Sequence, residues 1–188
     1  NRSHDRVDVW GVIKHPYDGG KTWETQYKES MGKDGYPGLT RIAFINRDTG
    51  WVVGTKGSIL HTEDGGKHWM HQKIGYKEYS PSEVYFINSQ EGWITGTQYG
   101  EHWTGIILHT DDGGMHWKVQ HKLSDVSFDD LDFRDEKFGF VSGHAESGEI
   151  GVLLHTENGG KTWSGKEFTN IGFGQMAFLD KARGVIYS

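Results

Sequence analysis

Two phrases alternate four times along the 188 residues, and they predict an all-β fold: a β-propeller of four-stranded antiparallel blades. The first phrase reads HPYDGGKTW at 15–23, HTEDGGKHW at 61–69, HTDDGGMHW at 109–117 and HTENGGKTW at 155–163. The second reads FINRDTGWVVG at 44–54, FINSQEGWITG at 86–96, FRDEKFGFVSG at 133–143 and FLDKARGVIYS at 178–188. A third observation supports these two. No stretch carries a 3.6-residue apolar stripe, whereas short apolar runs recur between glycines.

Each unit supplies four strands, A to D. Strand A ends on the phenylalanine, with Ile42 and Phe44 on one face of Arg41-Ile42-Ala43-Phe44. Strand B is the Trp51-Val52-Val53 segment and its equivalents. Strand C is the Ile59-Leu60 type, bounded by Gly11, Gly57, Gly105 and Gly151, each twelve residues before a repeat tryptophan. Strand D is expected to open on that tryptophan, so that Trp23, Thr25 and Tyr27 share a face at period two. The tryptophans are 46, 48 and 46 residues apart.

The units divide the chain into a partial blade at 1–30, full blades at about 38–72, 81–120 and 128–166, and a partial blade at 173–188, all within one domain. A remnant of strand B is expected around Asp5–Val9. The terminal pieces are complementary, so a closed four-blade ring is one arrangement. An arc of about four blades from a larger ring is the favoured one, because repeats of this length build larger propellers. The chain begins Asn1-Arg2-Ser3, without Met or an apolar leader core, so a removed leader or a missing start is expected.

The turn between strands C and D has its own chemistry. Asp18, Asp64, Asp112 and Asn158 stand five residues before the tryptophan and precede Gly-Gly. A short carboxylate or amide there accepts hydrogen bonds from turn N–H groups while glycine takes the left-handed position. The indole fills the space beneath the turn. One such residue in every blade marks a turn lock rather than a catalyst or a metal ligand.

Composition bounds the function. The net charge of −6 argues against a phosphate-binding surface, so no nucleic-acid partner is expected. Protonation of all eleven His would take −6 to +5. There is no Cys, hence no disulfide or thiolate chemistry within the chain. The apolar runs fall far short of the ~18 residues of a membrane span.

The phrase Thr-x-Asp-x-Gly-x-(Thr/His)-Trp resembles the Asp-box, or bacterial neuraminidase repeat. Its residues here are Thr62, Asp64, Gly66 and Trp69; Thr110, Asp112, Gly114 and Trp117; and Thr156, Asn158, Gly160 and Trp163. The copy with Asp18 and Trp23 carries Pro16 in the Thr position. Together with Phe-x(5)-Gly-Trp-x-x-Gly, the pattern resembles the photosynthesis system II assembly and stability factor family. That resemblance implies a ring of usually seven blades, an exported location, and a chaperone-like scaffold that binds a protein. It implies no cofactor.

Loop lengths separate the two faces. The A–B loops and C–D turns are of constant length and share one face. The D–A and B–C loops share the other, and they vary. Variable loops on a constant frame are where binding concentrates. The largest insertion, 97–104, offers Tyr99, Glu101, His102 and Trp103, and the next offers His144 and Glu146. Two readings of Trp103 stay open, a binding aromatic and a packing residue under its own loop. A second candidate is a polar ring on the innermost strands, three residues before each phenylalanine: Arg41, Glu83, Asp130 and Gln175. No catalytic residue and no metal ligand is expected.

Two functions compete. One is a non-enzymatic propeller scaffold binding protein. The other is a sialidase- or xyloglucanase-like glycoside hydrolase, or a carbohydrate-binding propeller, for which Asp125, Asp129, Asp130, Asp132, Asp135 and Glu136 could supply paired carboxylates.

Overall fold

The computed structural model describes residues 9–30, 38–76, 78–180 and 183–187. It holds three four-stranded antiparallel sheets and two two-stranded ones, the arrangement of a partial β-propeller. The N-terminal half-blade pairs β1 (Val9–His15) with β2 (Glu24–Ser30). The first full blade is β3 (Leu39–Phe44), β4 (Gly50–Gly54), β5 (Ser58–Thr62) and β6 (Met70–Lys73). The second is β7 (Tyr79–Phe86), β8 (Gly92–Gln98), β9 (Thr104–Thr110) and β10 (Lys118–Ser124). The third is β11 (Val126–Phe133), β12 (Gly139–Ala145), β13 (Ile150–Thr156) and β14 (Ser164–Thr169). The C-terminal half-blade pairs β15 (Met176–Phe178) with β16 (Gly184–Ile186).

Within each full blade the strands lie side by side in chain order, and neighbouring blades meet along their first strands. The two half-blades are separate sheets among the described residues, which fits an arc and not a closed four-blade ring. Of the B-strand remnant expected at Asp5–Val9, only Val9 is a described residue, and it opens β1; the rest lies outside the described residues. Strand D begins one residue later than expected, at Glu24, Met70, Lys118 and Ser164, because the tryptophan belongs to the turn. No helix among the described residues is long and apolar enough to cross a membrane.

The blades are joined by aromatic columns. Phe86 lies flat on Trp51 of the preceding blade, with centroids 3.5 Å apart and planes 4° from parallel. Phe133 stacks on Trp93 at 3.9 Å, and Phe178 on Phe140 at 3.7 Å. The turn tryptophan of the same blade closes each column edge-on, Trp117 against Phe86 and Trp163 against Phe133. The other face of Trp51 is covered by His61, stacked at 4.7 Å. Behind Phe86 stands Gly92, where a methyl group would come within 2.5 Å of the ring. Glycine therefore precedes the strand-B aromatic because the phenylalanine of its own blade crosses it there. At the open N-terminal side Phe44 is 44% exposed, against 6% for Phe86 and 1% for Phe133.

A polar latch runs parallel to the columns. Gln72 Nε2 donates to the carbonyl of Gly113 in the next blade, as Gln26 does to Gly65 and Gln120 to Gly159. The indole N–H of Trp51 donates to the same Gly113 oxygen. Gly114, at φ +89°, leaves room for this glutamine: a methyl group there would stand 2.6 Å from Gln72 Oε1.

The Asp-box turns are closed internally. Thr62 Oγ1 accepts the Gly66 N–H at 2.8 Å and donates to Asp64 Oδ1. Asp64 Oδ1 also accepts the His68 N–H at 2.9 Å, and Oδ2 meets His68 Nδ1 at 2.6 Å. The same set recurs at Thr110, Gly114, Asp112 and His116. Asn158 substitutes for the aspartate by accepting the Thr162 N–H and donating to the Thr162 hydroxyl. With Pro16 in place of Thr, the first copy keeps only the aspartate half, in which Asp18 takes the Thr22 N–H and hydroxyl. The tryptophans are not uniformly covered. Trp117 is buried, Trp69 and Trp163 are half-buried, and Trp23 is 57% exposed. Turn closure is thus local, while burial of the indole depends on having a neighbouring blade.

These bonds favour the ionised aspartate. At Asp64 the His68 N–H, then its ring, hold the carboxyl down to about 2. At Asp112 burial, the largest influence, pushes upward, but the His116 N–H, its ring and the Thr110 hydroxyl together bring it to about 2. A folded-state value below the unfolded one means that the stabilisation is present above pH ~4 and lost as pH falls toward ~2. Replacing both Asp64 and Asp112 by Asn, which keeps one acceptor as Asn158 does, should flatten the acid limb of stability between about pH 4 and pH 2. Urea unfolding across that range checks it, and an unchanged slope would contradict the turn-lock account.

Candidate functional site

The face carrying the D–A and B–C loops is shaped by a bulge in each first strand. Register shifts fall between Leu39 and Arg41, Pro81 and Glu83, and Phe128 and Asp130. A bulge re-aims the residue that follows it. Here the residues that follow are Arg41, Glu83 and Asp130, three members of the polar ring. Arg41 Nε donates to Glu83 Oε2 at 3.1 Å, and its Nη1 to the Thr40 carbonyl. Burial, the largest influence on Glu83, raises its carboxyl above the usual range, and the Arg41 charge only partly offsets that. Asp130 accepts the Leu131 N–H on Oδ1 and the Met176 N–H on Oδ2, so it joins the third blade to the C-terminal half-blade. Gln175 precedes β15 and accepts the Tyr187 hydroxyl at 2.6 Å.

A cavity of about 450 Å³ opens where these strands begin, lined by Arg41, Pro81, Ser82, Asp129, His144 and Gln175 among others. Asp129 and His144 also bond to each other on its wall, Oδ2 to Nδ1 at 2.6 Å. Burial raises the Asp129 carboxyl, with His144 pulling it back down.

His144 connects this cavity to the loop rim. Trp103 stands edge-on to it at 6.3 Å, and Tyr99 is edge-on to Trp103 at 5.7 Å. Trp103 is half-buried and Tyr99 48% exposed. Three loops meet here. The Asp125 N–H donates to the Trp103 carbonyl and the Glu146 N–H to the Asp125 carbonyl, both at 2.8 Å. His102 Nδ1 lies 3.3 Å from Asp125 Oδ1 and 4.0 Å from Glu146 Oε2. Glu101 is exposed at the tip of the insertion.

The opposite face is built from repeated parts. Asn46, Asn88 and Asp135 each accept two N–H groups within their A–B loop. Each Asp-box ties back to that loop through Gly65 to Asp48, Gly113 to Gln90 and Gly159 to Lys137. A larger cavity, about 940 Å³, opens on this face between the second and third blades, with Glu91 paired to His109 on its wall.

The acidic stretch does not gather into a free carboxylate pair. Asp129 is committed to His144, and Asp130 to two backbone N–H groups. Asp132 is committed to Arg134 and the Phe178 N–H, and Asp135 to the Lys137 and Phe138 N–H groups. Sequence reasoning missed two contributors. The latch glutamines stand three residues after Trp23, Trp69 and Trp117, a spacing visible in WETQ, WMHQ and WKVQ. The Asp129–His144 pair left no local signal, because its members come from different strands.

The family model of the Photosynthesis system II assembly factor YCF48 matches residues 36–126, somewhat under half of the chain. In structure the chain is similar to YCF48 from Cyanidioschyzon merolae, at 15% identity and a TM-score of 0.62, over 94% of this chain and 60% of that one. A structure of YCF48 bound to D1 peptide aligns at 17% identity and a TM-score of 0.40, over 93% and 67%. The GH74 xyloglucanase from Xanthomonas campestris aligns at 12% identity and a TM-score of 0.59, over 74% and 24%. No curated protein sequence matches significantly. The chain therefore has a partial β-propeller fold that resembles that of YCF48, and it spans about 60% of the length of the Cyanidioschyzon merolae protein.

The Arg41–Glu83 pair is open to a direct test. Arg41→Met should strand a half-buried carboxylate and cost about 1 kcal/mol at neutral pH. The double variant Arg41→Met/Glu83→Gln should recover part of that loss. Equilibrium unfolding of the four proteins in the cycle checks it, and strict additivity would show that the pair is not coupled.

Proposed function

We propose that this chain is part of a non-enzymatic, exported propeller scaffold that binds a protein partner on its D–A and B–C loop face. One observation carries the reading: Trp103, flanked edge-on by Tyr99 and His144, breaks the repeat symmetry beside a cavity that bears both Arg41 and the Asp129–His144 pair. Recognition of one partner needs such asymmetry, and exposed aromatics beside charged groups resemble the centre of a protein interface. The match to the assembly-factor family model over 36–126 supports the same class of function. It includes the whole insertion 97–104.

The glycoside hydrolase reading is less well supported. An inverting or retaining pair needs two carboxyl groups facing substrate, about 5–9.5 Å apart. Asp129, Asp130, Asp132 and Asp135 are engaged in holding strands and loops together. The likeness to a GH74 enzyme at 12% identity concerns the fold alone.

Site-specific photo-crosslinking tests the face. A photoreactive residue at position 99 should capture a protein partner from an extract of the source organism, whereas one at position 161 on the Asp-box face should not. Trp103→Ala should then weaken the captured partner's binding by more than about 1 kcal/mol with the thermal midpoint nearly unchanged. Crosslinks from 161 alone, or saturable binding of xyloglucan oligosaccharides, would overturn the proposal.

A further inference from the structure

We propose that His102, Asp125 and Glu146 form a binding site for a divalent transition-metal ion of the zinc class. One imidazole nitrogen and one oxygen from each carboxylate lie within 4.8 Å of one another. Two of the separations, 3.3 Å and 4.0 Å, run from His102 Nδ1. Donors about 2.0–2.2 Å from a common metal stand roughly 3.0–3.4 Å apart in octahedral or tetrahedral geometry. The cluster is therefore already close to a ligand set, and its side chains are exposed and need only small rotations to close.

The donors converge because three backbones converge. Asp125 lies in the D–A loop between the second and third blades, while His102 and Glu146 come from the B–C loops of those two blades. The Asp125 N–H to Trp103 carbonyl and Glu146 N–H to Asp125 carbonyl bonds hold the three loops in register. Glu146 Oε2 accepts the Trp103 N–H at 3.4 Å, which steers its carboxylate toward His102. Asp125 has a positive φ of +60°, and so do Glu78 at +55° and Asn170 at +62° in two other D–A loops. Its backbone is thus a repeated feature, whereas the meeting of three metal-binding side chains around it is local to this pair of blades.

Donor chemistry selects the ion. A nitrogen donor suits zinc, nickel, copper or cobalt, and disfavours the hard oxygen-seeking magnesium and calcium. Two carboxylates neutralise a divalent charge. Three protein ligands leave at least one position open, for water or for a side chain of a bound partner. The site does not depend on the protein-binding reading, although it lies beside Trp103 on the same face.

Calorimetric titration of the whole chain with zinc chloride, in a non-chelating buffer near pH 7.5, is the test. One saturable site is expected. His102→Ala and Asp125→Asn should each weaken it by about tenfold or more. Glu146→Gln should also weaken it while keeping an oxygen acceptor for the Trp103 N–H, and circular dichroism confirms that each variant is folded. His68→Ala, which removes a different exposed His–carboxylate pair, should leave the site intact. Millimolar magnesium should not displace the zinc. Absence of saturable binding, undiminished binding by folded His102→Ala, equal loss in His68→Ala, or displacement by magnesium would each overturn the proposal.

Discussion

Everything in this fold depends on one contact, the phenylalanine that ends each first strand lying flat on the second-strand aromatic of the preceding blade. A single blade is a small sheet with two apolar faces and cannot bury both alone. The Trp51–Phe86, Trp93–Phe133 and Phe140–Phe178 stacks supply the missing cover and set the distance between blades. Several sequence features that look like separate motifs follow from this contact. Gly92 is glycine because Phe86 crosses it, and Trp117 meets the edge of Phe86 because the C–D turn folds down onto the column. The glutamine latch adds direction, since each strand D reaches forward to the Asp-box of the next blade.

The same regularity divides the molecule into a face of repeated parts and a face of varied loops. On the Asp-box side, loop carbonyls, Asx turns and Gly-Gly amides satisfy one another in every blade, which leaves little freedom for specific recognition. On the other side the bulges fall just before Arg41, Glu83 and Asp130 in the first strands of the full blades, and the loops differ in length. There the charges pair between blades, Arg41 with Glu83, and between strands, Asp129 with His144. Polar groups that are half-buried and paired this way hold the cavity wall in shape and leave the rim aromatics to make contacts.

What the sequence showed follows from what repeats. Strand number, strand order, the Asp64 and Asp112 turns and the division of faces were legible, because each occurs three or four times at constant spacing. The exact start of strand D was not, because an aromatic at a strand edge and one in a turn look alike in period-two patterning. The exposure of Trp23 and Phe44 was not legible either, since a repeated motif does not show which neighbours stand against each copy. The bond from Tyr187 to Gln175 was not legible, because no repeat marks that partner. The His102, Asp125 and Glu146 cluster is the extreme case. His102 and Glu146 sit in loops that depart from the repeat, Asp125 sits in one whose backbone recurs, and only the folded arc brings positions 102, 125 and 146 together.

The stacking contact can be measured directly by a double-mutant cycle on Trp51 and Phe86, with each changed to Leu singly and together and stability read from urea unfolding. A stacked pair at this separation should show a coupling energy of about 0.5–1.5 kcal/mol, with both single variants unfolding in one transition. Additive losses, or a transition that splits because the blades unfold independently, would contradict the view that these columns hold the propeller together.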